Sequence, residues 1–221
     1  MISIIIPAKN EKKSILHTLS NLQILRKKKI CEIILVDGRS DDETINISKP
    51  YVDKILSISP NRSKQQNLGA SIAQGEILLF LHADTYISSE ILLKFYENHK
   101  NYKWGFFNIK LDHDSIKYRV LEFLINLRSR IFNYGTGDQC IFINKKLFTK
   151  INGFPNLELM EDIGICSTLK KNFRPSIIKS VVKTSARRWE SRGFIKTVIK
   201  MRLLRLLYTM GFNTSLLRKL Y

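Results

Sequence analysis

Ile77-Leu78-Leu79-Phe80-Leu81-His82-Ala83-Asp84 is the stretch on which the fold turns. Residues 77–81 are apolar without a break, so a strand here has no polar face and must be covered on both sides. The run then stops on a histidine and an acid. Two earlier segments have the same form. Residues 2–6 lead into Pro7-Ala8-Lys9-Asn10-Glu11, and residues 32–36 lead into Asp37-Gly38-Arg39-Ser40-Asp41-Asp42. A further strand is expected at 54–58. Between these strands, Ile15, Leu16, Leu19, Leu22 and Leu25 recur at helical spacing after Asn10 and Glu11. A second helix is expected over 62–73, ended by Gly75. Buried strands separated by helices imply right-handed crossovers and an α/β, Rossmann-type, mostly parallel sheet. Ligands of such sheets lie beyond the carboxyl ends of the strands. Residues 7–11, 37–42 and 82–84 all fall there. Carboxylates gathered at one edge repel unless a cation or a ligand donor compensates. Helix capping accounts for Asn10 and Asp41. It suits Asp37 and Asp84 less well, because both sit directly at strand ends.

The second half mixes elements. A strand is expected at 103–111 and a long helix at 116–134. One side of that helix carries Val120, Phe123, Leu124, Leu127, Ile131 and Tyr134, and the opposite side Tyr118, Leu121, Ile125 and Phe132. A helix apolar on two sides is sandwiched in protein, forms a homodimer contact or meets lipid; protein packing is the expected outcome. Residues 135–139 read as a flexible polar turn, 140–143 as a short strand, and Met160-Glu161-Asp162 as a helix start. Residues 194–210 form a last apolar helix with Lys196, Lys200, Arg202 and Arg205 interspersed.

A length of 221 residues points to one large domain, or one domain with an extension. The 44% hydrophobic and 25% charged fractions exclude a mostly disordered chain. Cys31, Cys140 and Cys166 are an odd count with no Cys-x-x-Cys, which argues against a disulfide framework or a cysteine-rich zinc site and fits a reducing compartment. Cys140 and Cys166 lie in apolar stretches and read as core. No stretch approaches the ~18 apolar residues of a membrane span. The first residues read as a buried strand and not as a signal peptide, so a cytoplasmic location is expected.

The abnormal number is the net charge of +18. Half of it lies in residues 183–221, where ten Lys or Arg face one acid, Glu190. That excess implies a polyanionic neighbour: nucleotide phosphates, an anionic membrane surface at the inner face of the cell membrane, or nucleic acid. A solvated lysine-rich face is the plain alternative. No helix-turn-helix, zinc-finger or aromatic RNA-binding signature supports a nucleic-acid partner. No Gly-x-Gly-x-x-Gly follows a strand, which disfavours a dinucleotide oxidoreductase.

Taken in order, these segments resemble the inverting family 2 glycosyltransferases of the GT-A fold. Residues 3–11 resemble the family's opening strand and its Pro-x-x-Asn-Glu turn. Val36-Asp37-Gly38-Arg39-Ser40-Asp41-Asp42-Glu43-Thr44 resembles the Val-Asp-Asp-Gly-Ser-x-Asp-Gly-Thr motif, with Gly38 in place of the second Asp. Residues 62–70 resemble the Arg-Ala-x-Gln-x-Asn-x-Gly-Ala helix. His82-Ala83-Asp84 stands where the family places Asp-x-Asp, with His82 for the first Asp. Met160-Glu161-Asp162 stands where the family places the Glu-Asp of its catalytic base. Thr184-Ser185-Ala186-Arg187-Arg188-Trp189, after Gly137-Asp138-Gln139, is similar to a short bacterial subgroup described as radical-SAM/selenodomain-associated transferases.

The resemblance implies a domain over 1–182, with a nucleotide-sugar half (1–100) and an acceptor and catalytic half (101–182). Residues 183–221 would form a basic helical tail packed on the domain or on a membrane surface. It implies a nucleotide-diphosphate sugar as donor and a hydroxyl or carboxylate acceptor, lipid-like if the basic tail meets a membrane. Asp84 would hold a divalent cation, Mg2+ or Mn2+, against the diphosphate. Asp162 would be the base, with Glu161 its neighbour. Pro7, Glu11, Asp37, Arg62, Asn67, Arg187 and Arg188 would join Asp84 on the donor side, the arginines as forks for phosphate. Asp138, Gln139 and Trp189 would face the acceptor. Another nucleotide-dependent transfer on the same scaffold, such as nucleotidyl transfer, and a non-catalytic basic module binding anionic lipid or nucleic acid are the alternative readings.

Overall fold

The computed structural model describes residues 1–221. Strand β1 (Ile2–Ala8) is buried along its whole length. It pairs in parallel with β2 (Cys31–Asp37) on one edge and with β4 (Ile77–Phe80) on the other, while β3 (Lys54–Ser57) extends β2 in parallel. The crossovers are α1 (Ile15–Lys27), the short α2 (Thr44–Ser48) and α3 (Arg62–Ile72). Alternation along β1 sends Ile4 and Ile6 to the core beneath Leu19 and Leu22 of α1, and Ile5 to the core on the other face. Gly69 lets α3 lie close on that second face, since a Cβ there would sit 2.6 Å from Ile5 Cγ2.

The remaining strands are β5 (Thr85–Tyr86), β6 (Trp104–Leu111), β7 (Ile141–Asn144) and β8 (Ser176–Thr184), giving the order β3-β2-β1-β4-β7-β6-β8-β5. The sheet is mixed. The parallel pairing expected from the crossovers holds among the first four strands, but β7 runs antiparallel to both β4 and β6, and β5 antiparallel to β8. The reversal has a consequence for the site. Ile141 at the start of β7 lies opposite Phe80 at the end of β4, so the turn before β7 is delivered to the edge where His82 and Asp84 stand.

The other helices are α4 (Ser89–Asn98), α5 (Ile116–Phe132), α6 (Lys145–Lys150), α7 (Glu161–Leu169), α8 (Arg187–Arg192), α9 (Phe194–Thr209) and α10 (Thr214–Leu220). Residues 183 and 184 finish β8, so the last segment leaves the sheet directly. Leu204 of α9 and Leu217 of α10 are buried with Leu159, Met160 and Ile163 around the start of α7. Trp189, Phe194 and Val198 pack against the inner row of α5, Tyr118 and Leu121.

Two expectations need correction. The Val120 row of α5 is not sandwiched within the chain: Val120, Phe123 and Ile131 are 53%, 64% and 61% exposed. Residues 135–139 are not a loose turn either. Gln139 is fully buried; its Oε1 accepts from Ser129 Oγ at 2.8 Å and from the Thr136 N–H at 3.1 Å, and its Nε2 donates to the Phe107 carbonyl at 3.2 Å. No helix is long and apolar enough to cross a membrane.

Candidate active site

At the carboxyl edge of β1 and β4, Pro7, Glu11, Arg62, Asp84, Asp138 and Arg188 line a polar hollow of about 330 Å³. Arg187 of α8 closes one side. Its Nη2 donates to Glu11 Oε2 at 3.0 Å and stands 3.9 Å from Asp84 Oδ2. A second, smaller hollow continues from the first. It shares Arg62, His82, Asp138 and Arg188 with it and is bounded by Glu161 and Asp162.

Burial pushes the Asp84 carboxyl above its ordinary value, and the negative charges of Asp138 and Glu11 push the same way, against His82 and Arg187. Asp138 goes the other way. Burial opposes its ionisation, but the hydrogen bond and charge of His82, with Arg188 and Arg62, hold it well below the usual carboxylate range. His82 Nδ1 lies 3.0 Å from Asp138 Oδ1, and His82 Nε2 is buried without a partner. Gly137 is what lets this ring in, since a Cβ there would sit 2.3 Å from Nε2.

Asp162 opens α7. Its Oδ1 accepts from its neighbour's Ile163 N–H at 2.7 Å and its Oδ2 from the Gly137 N–H at 2.9 Å. The turn that positions Asp138 therefore also orients Asp162. Glu161 is buried beside it. Burial and then the Asp162 charge raise the Glu161 carboxyl, against the pull of Arg62. The charges of Glu161, then Tyr221, Asp138 and Asp162, raise Arg62 despite its desolvation.

The structure thus brings Pro7, Glu11, Arg62, Asp84, Asp138, Arg187 and Arg188 together, with Glu161 and Asp162 next door. It leaves four other candidates outside. Asp37 is fully buried, and its carboxylate accepts from the Ser40 N–H at 2.9 Å, which fixes the loop after β2. Asn67 spends its side chain on the backbone of Phe154 at 2.9 Å in both directions, clamping α3 to the loop before α7. Gln139, fully buried, holds the turn together from inside, as described. Trp189 lines a separate apolar groove that meets the site at Asp138 and Arg188. The His82–Asp138 pair escaped sequence reasoning. The signal available was a histidine standing where the family has an acid, together with an acid flanked by glycine in a turn of unassigned role.

Among the ionisable side chains there is no group of three His, Cys, Asp or Glu that could cage a metal ion. A cation shared with a diphosphate needs less, because Mg2+-type sites use one or two carboxylates plus phosphate and water. Asp84 fits that role. Its side chain is 26% exposed toward the hollow, and its neighbours leave it short of positive charge.

The family model for glycosyl transferase family 2 matches residues 3–173. Over 105 residues the chain is 35% identical to a poly(ribitol-phosphate) beta-glucosyltransferase of Bacillus spizizenii, a match covering 43% of this chain and 16% of that enzyme. Over 99 residues it is 33% identical to the poly(ribitol-phosphate) beta-N-acetylglucosaminyltransferase TarS of Staphylococcus aureus, covering 41% and 17%. The matched part is thus a small fraction of these relatives' length. Among solved structures, S. aureus TarS 1–349 in complex with UDP-GlcNAc superposes with a TM-score of 0.64 at 21% identity, over 83% of this chain and 58% of that one. The mannosyltransferase PcManGT from Pyrobaculum calidifontis, in complex with GDP-Man and Mn2+, gives 0.64 at 17% identity, over 92% and 60%. At these identities the likeness is one of fold: the chain has the α/β fold of GT-A glycosyltransferases, with a mixed sheet flanked by helices.

Proposed function

The chain belongs to glycosyl transferase family 2, and from that premise we propose that it is an inverting glycosyltransferase that takes its sugar from a nucleoside diphosphate. One observation carries the proposal. Asp84 and Asp162, on different elements, face two adjoining hollows that share Arg62, His82, Asp138 and Arg188. An acid suited to a phosphate-bound cation and an acid suited to proton transfer therefore stand on either side of one cationic lining.

The diphosphate would lie in the first hollow. Arg62, Arg187 and Arg188 supply guanidinium forks for its oxygens and for the charge that grows as it leaves. A divalent cation, Mg2+ or Mn2+, would be held by Asp84 together with phosphate oxygens and would neutralise further charge there. Arg187 would exchange part of its pairing with Glu11 for the phosphate. In the second hollow an acceptor hydroxyl attacks the anomeric carbon from the face opposite the leaving group. The new C–O bond forms as the bond to the diphosphate breaks. The bonding pair leaves with the diphosphate, and the hydroxyl proton passes to the Asp162 carboxylate. The Gly137 and Ile163 N–H groups hold that carboxylate in place. His82 holds Asp138 ionised, which keeps negative charge opposite the arginines and fixes their direction.

A thermal-shift screen with nucleoside diphosphates and their sugars, with and without Mn2+, tests the donor site, because a ligand of the native state raises the melting temperature. A Mn2+-dependent rise with one sugar nucleotide is expected, and Asp84→Ala should remove the Mn2+ dependence. Product analysis then separates reaction types. Release of nucleoside diphosphate supports sugar transfer, and release of pyrophosphate would instead make the chain a nucleotidyltransferase.

A further inference from the structure

Between α5 and α9 runs a groove of about 480 Å³, a volume typical of ligand sites. Leu124, Ile131, Val198 and Met201 give it apolar walls, and it ends at Thr136, Asp138 and Arg188 on the rim of the active site. Its floor carries two arginines. Arg128 Nη2 donates to Ser129 Oγ at 3.1 Å, but Arg128 Nε and Nη1 are buried with no partner, and so is Arg205 Nε. Burial, with the like charge of Arg205, pulls the Arg128 guanidinium down to about 10; the ring of Tyr134, 4.9 Å below it, and the more distant Asp138 and Asp162 compensate only in part. Buried unpaired N–H donors on neighbouring cations cost stability unless an anion meets them. The groove thus joins apolar walls and anion-seeking arginines to two residues of the catalytic hollow, Asp138 and Arg188.

The two helices that wall the groove also carry exposed apolar side chains. Val120 and Phe123 on α5, and Ile195 and Ile199 on α9, are exposed by 53%, 64%, 71% and 61%. Helices that pair such rows with interspersed Lys and Arg lie in the headgroup boundary of an anionic membrane.

We propose that this groove seats the acceptor, and that the acceptor is a phospholipid-type amphiphile: a hydrocarbon chain between α5 and α9, a phosphate on Arg128 and Arg205, and beyond the phosphate a hydroxyl-bearing headgroup that reaches Asp162. This deepens the transferase reading and rests on it. Sugar would be added to the headgroup hydroxyl, with the proton passing to Asp162 as above and the phosphate of the acceptor left intact.

Co-sedimentation of the full chain with phosphatidylcholine vesicles, with and without phosphatidylglycerol, reads the site directly, since phosphatidylglycerol carries a chain, a phosphate and a headgroup hydroxyl in that order. Binding is expected to require phosphatidylglycerol. Arg205→Gln and the more exposed Leu124→Asp should each weaken it by about tenfold, the scale of one lost charge-assisted contact. Lys94→Gln removes the same charge on the distant α4 and should change little. Equal losses for Lys94→Gln and Arg205→Gln would mean diffuse charge attraction and overturn the site. So would undiminished binding by Leu124→Asp, full competition by free glycerol phosphate, or a lipid-free dimer that Leu124→Asp dissociates. The nucleotide-sugar thermal shift is the separate control. It should survive in both groove variants, and its absence from the parent chain would remove the transferase reading while the vesicle result still decides the groove.

Discussion

The polar hollow at the sheet edge and the groove between α5 and α9 meet at Asp138 and Arg188, yet they balance their charges in opposite ways. In the hollow most charges have an answer within the chain, Arg187 with Glu11, His82 with Asp138, Arg62 with Glu161 and Asp162, and Asp84 is the exception kept for the ligand. In the groove, Arg128 and Arg205 share one hollow with N–H atoms left unpaired, on helices whose outer apolar side chains are exposed. A self-balanced site can stay folded while it exchanges internal partners for a polar ligand. An unbalanced one has its missing partner outside the chain. The difference teaches which ligand each region awaits: a soluble, charged donor in the first, an amphiphile in the second.

The sharpest break of that comparison is at the acids. Asp162→Asn keeps size and one carbonyl-type acceptor but places an amide where the Gly137 and Ile163 N–H groups converge, and it cannot take a proton. Transfer should fall by about 10²–10⁴-fold, the usual range for a lost general base, while nucleotide-sugar binding stays close to the parent's and the melting temperature drops only as far as one amide facing a backbone N–H requires. Near-normal turnover in this variant would remove Asp162 from the chemistry.

Next in size is a test of whether the last helices belong to the domain. Leu204 is 2% exposed against Leu159, Met160 and Ile163 at the start of α7, the helix that carries Asp162. Leu204→Ala should cost about 2–5 kcal/mol by lost burial and a residual cavity, measured by urea unfolding. A cost well under 1 kcal/mol would mean that α9 is only loosely attached and that the groove's second wall is not fixed.

A pH comparison separates the two halves of the donor hollow. Asp138 is held below its ordinary carboxylate value in the folded chain. Its stabilisation is therefore complete above the unfolded value and lost as pH falls through the folded one. Asp84 is held above its ordinary value. Between its two values only the folded state keeps the proton, so stability falls as pH rises through that window and the ionised form is a standing cost at neutral pH. Melting curves should show Asp138→Asn less stable than the parent near pH 7, with the gap closing on acidification below about pH 4. Asp84→Asn should melt slightly higher than the parent near pH 7 while losing transfer, the signature of a group kept for function at the expense of stability. The same sign for both variants would contradict the opposed shifts.

Much of this was readable from the chain, because it rests on local pattern. The unbroken apolar runs at 2–6 and 77–81 can only be covered strands, and acids directly after such strands mark the ligand edge. The order Asp37, Arg62, Asp84, Asp162 along recognisable motifs gave the family. What pattern cannot carry is which side chains are consumed by the fold. Asp37, Asn67 and Gln139 sit in motifs, but each is satisfied by backbone groups 3 or more residues away, as between Asn67 and Phe154. Arg128 presents the converse case. In sequence it borders an apolar stripe and looks like a solvated helix charge; only the packing of α9 turns it into a buried, unpaired cation. Likewise, periodicity showed that α5 is apolar on two sides, and could not show that the chain has just one partner for it.

The smallest expected effect tests that last point, and it lies next to the largest core residue of α9. Leu203 is 52% exposed and Leu204 is 2% exposed, one position apart on the same helix. In water, Leu203→Gln removes apolar surface that is already wet in the folded chain, so urea unfolding should move by no more than about 0.5 kcal/mol, the range of surface substitutions. At a bilayer the same change should matter, because the residue would leave lipid for water and take its transfer energy with it. Vesicle binding weakened by Leu203→Gln, with solution stability unchanged, would make the outer face of α9 a membrane surface as well as a wall of the groove. Unchanged vesicle binding would confine lipid contact to the groove itself, with the exposed row reading as ordinary wet apolar surface of the kind every folded chain retains.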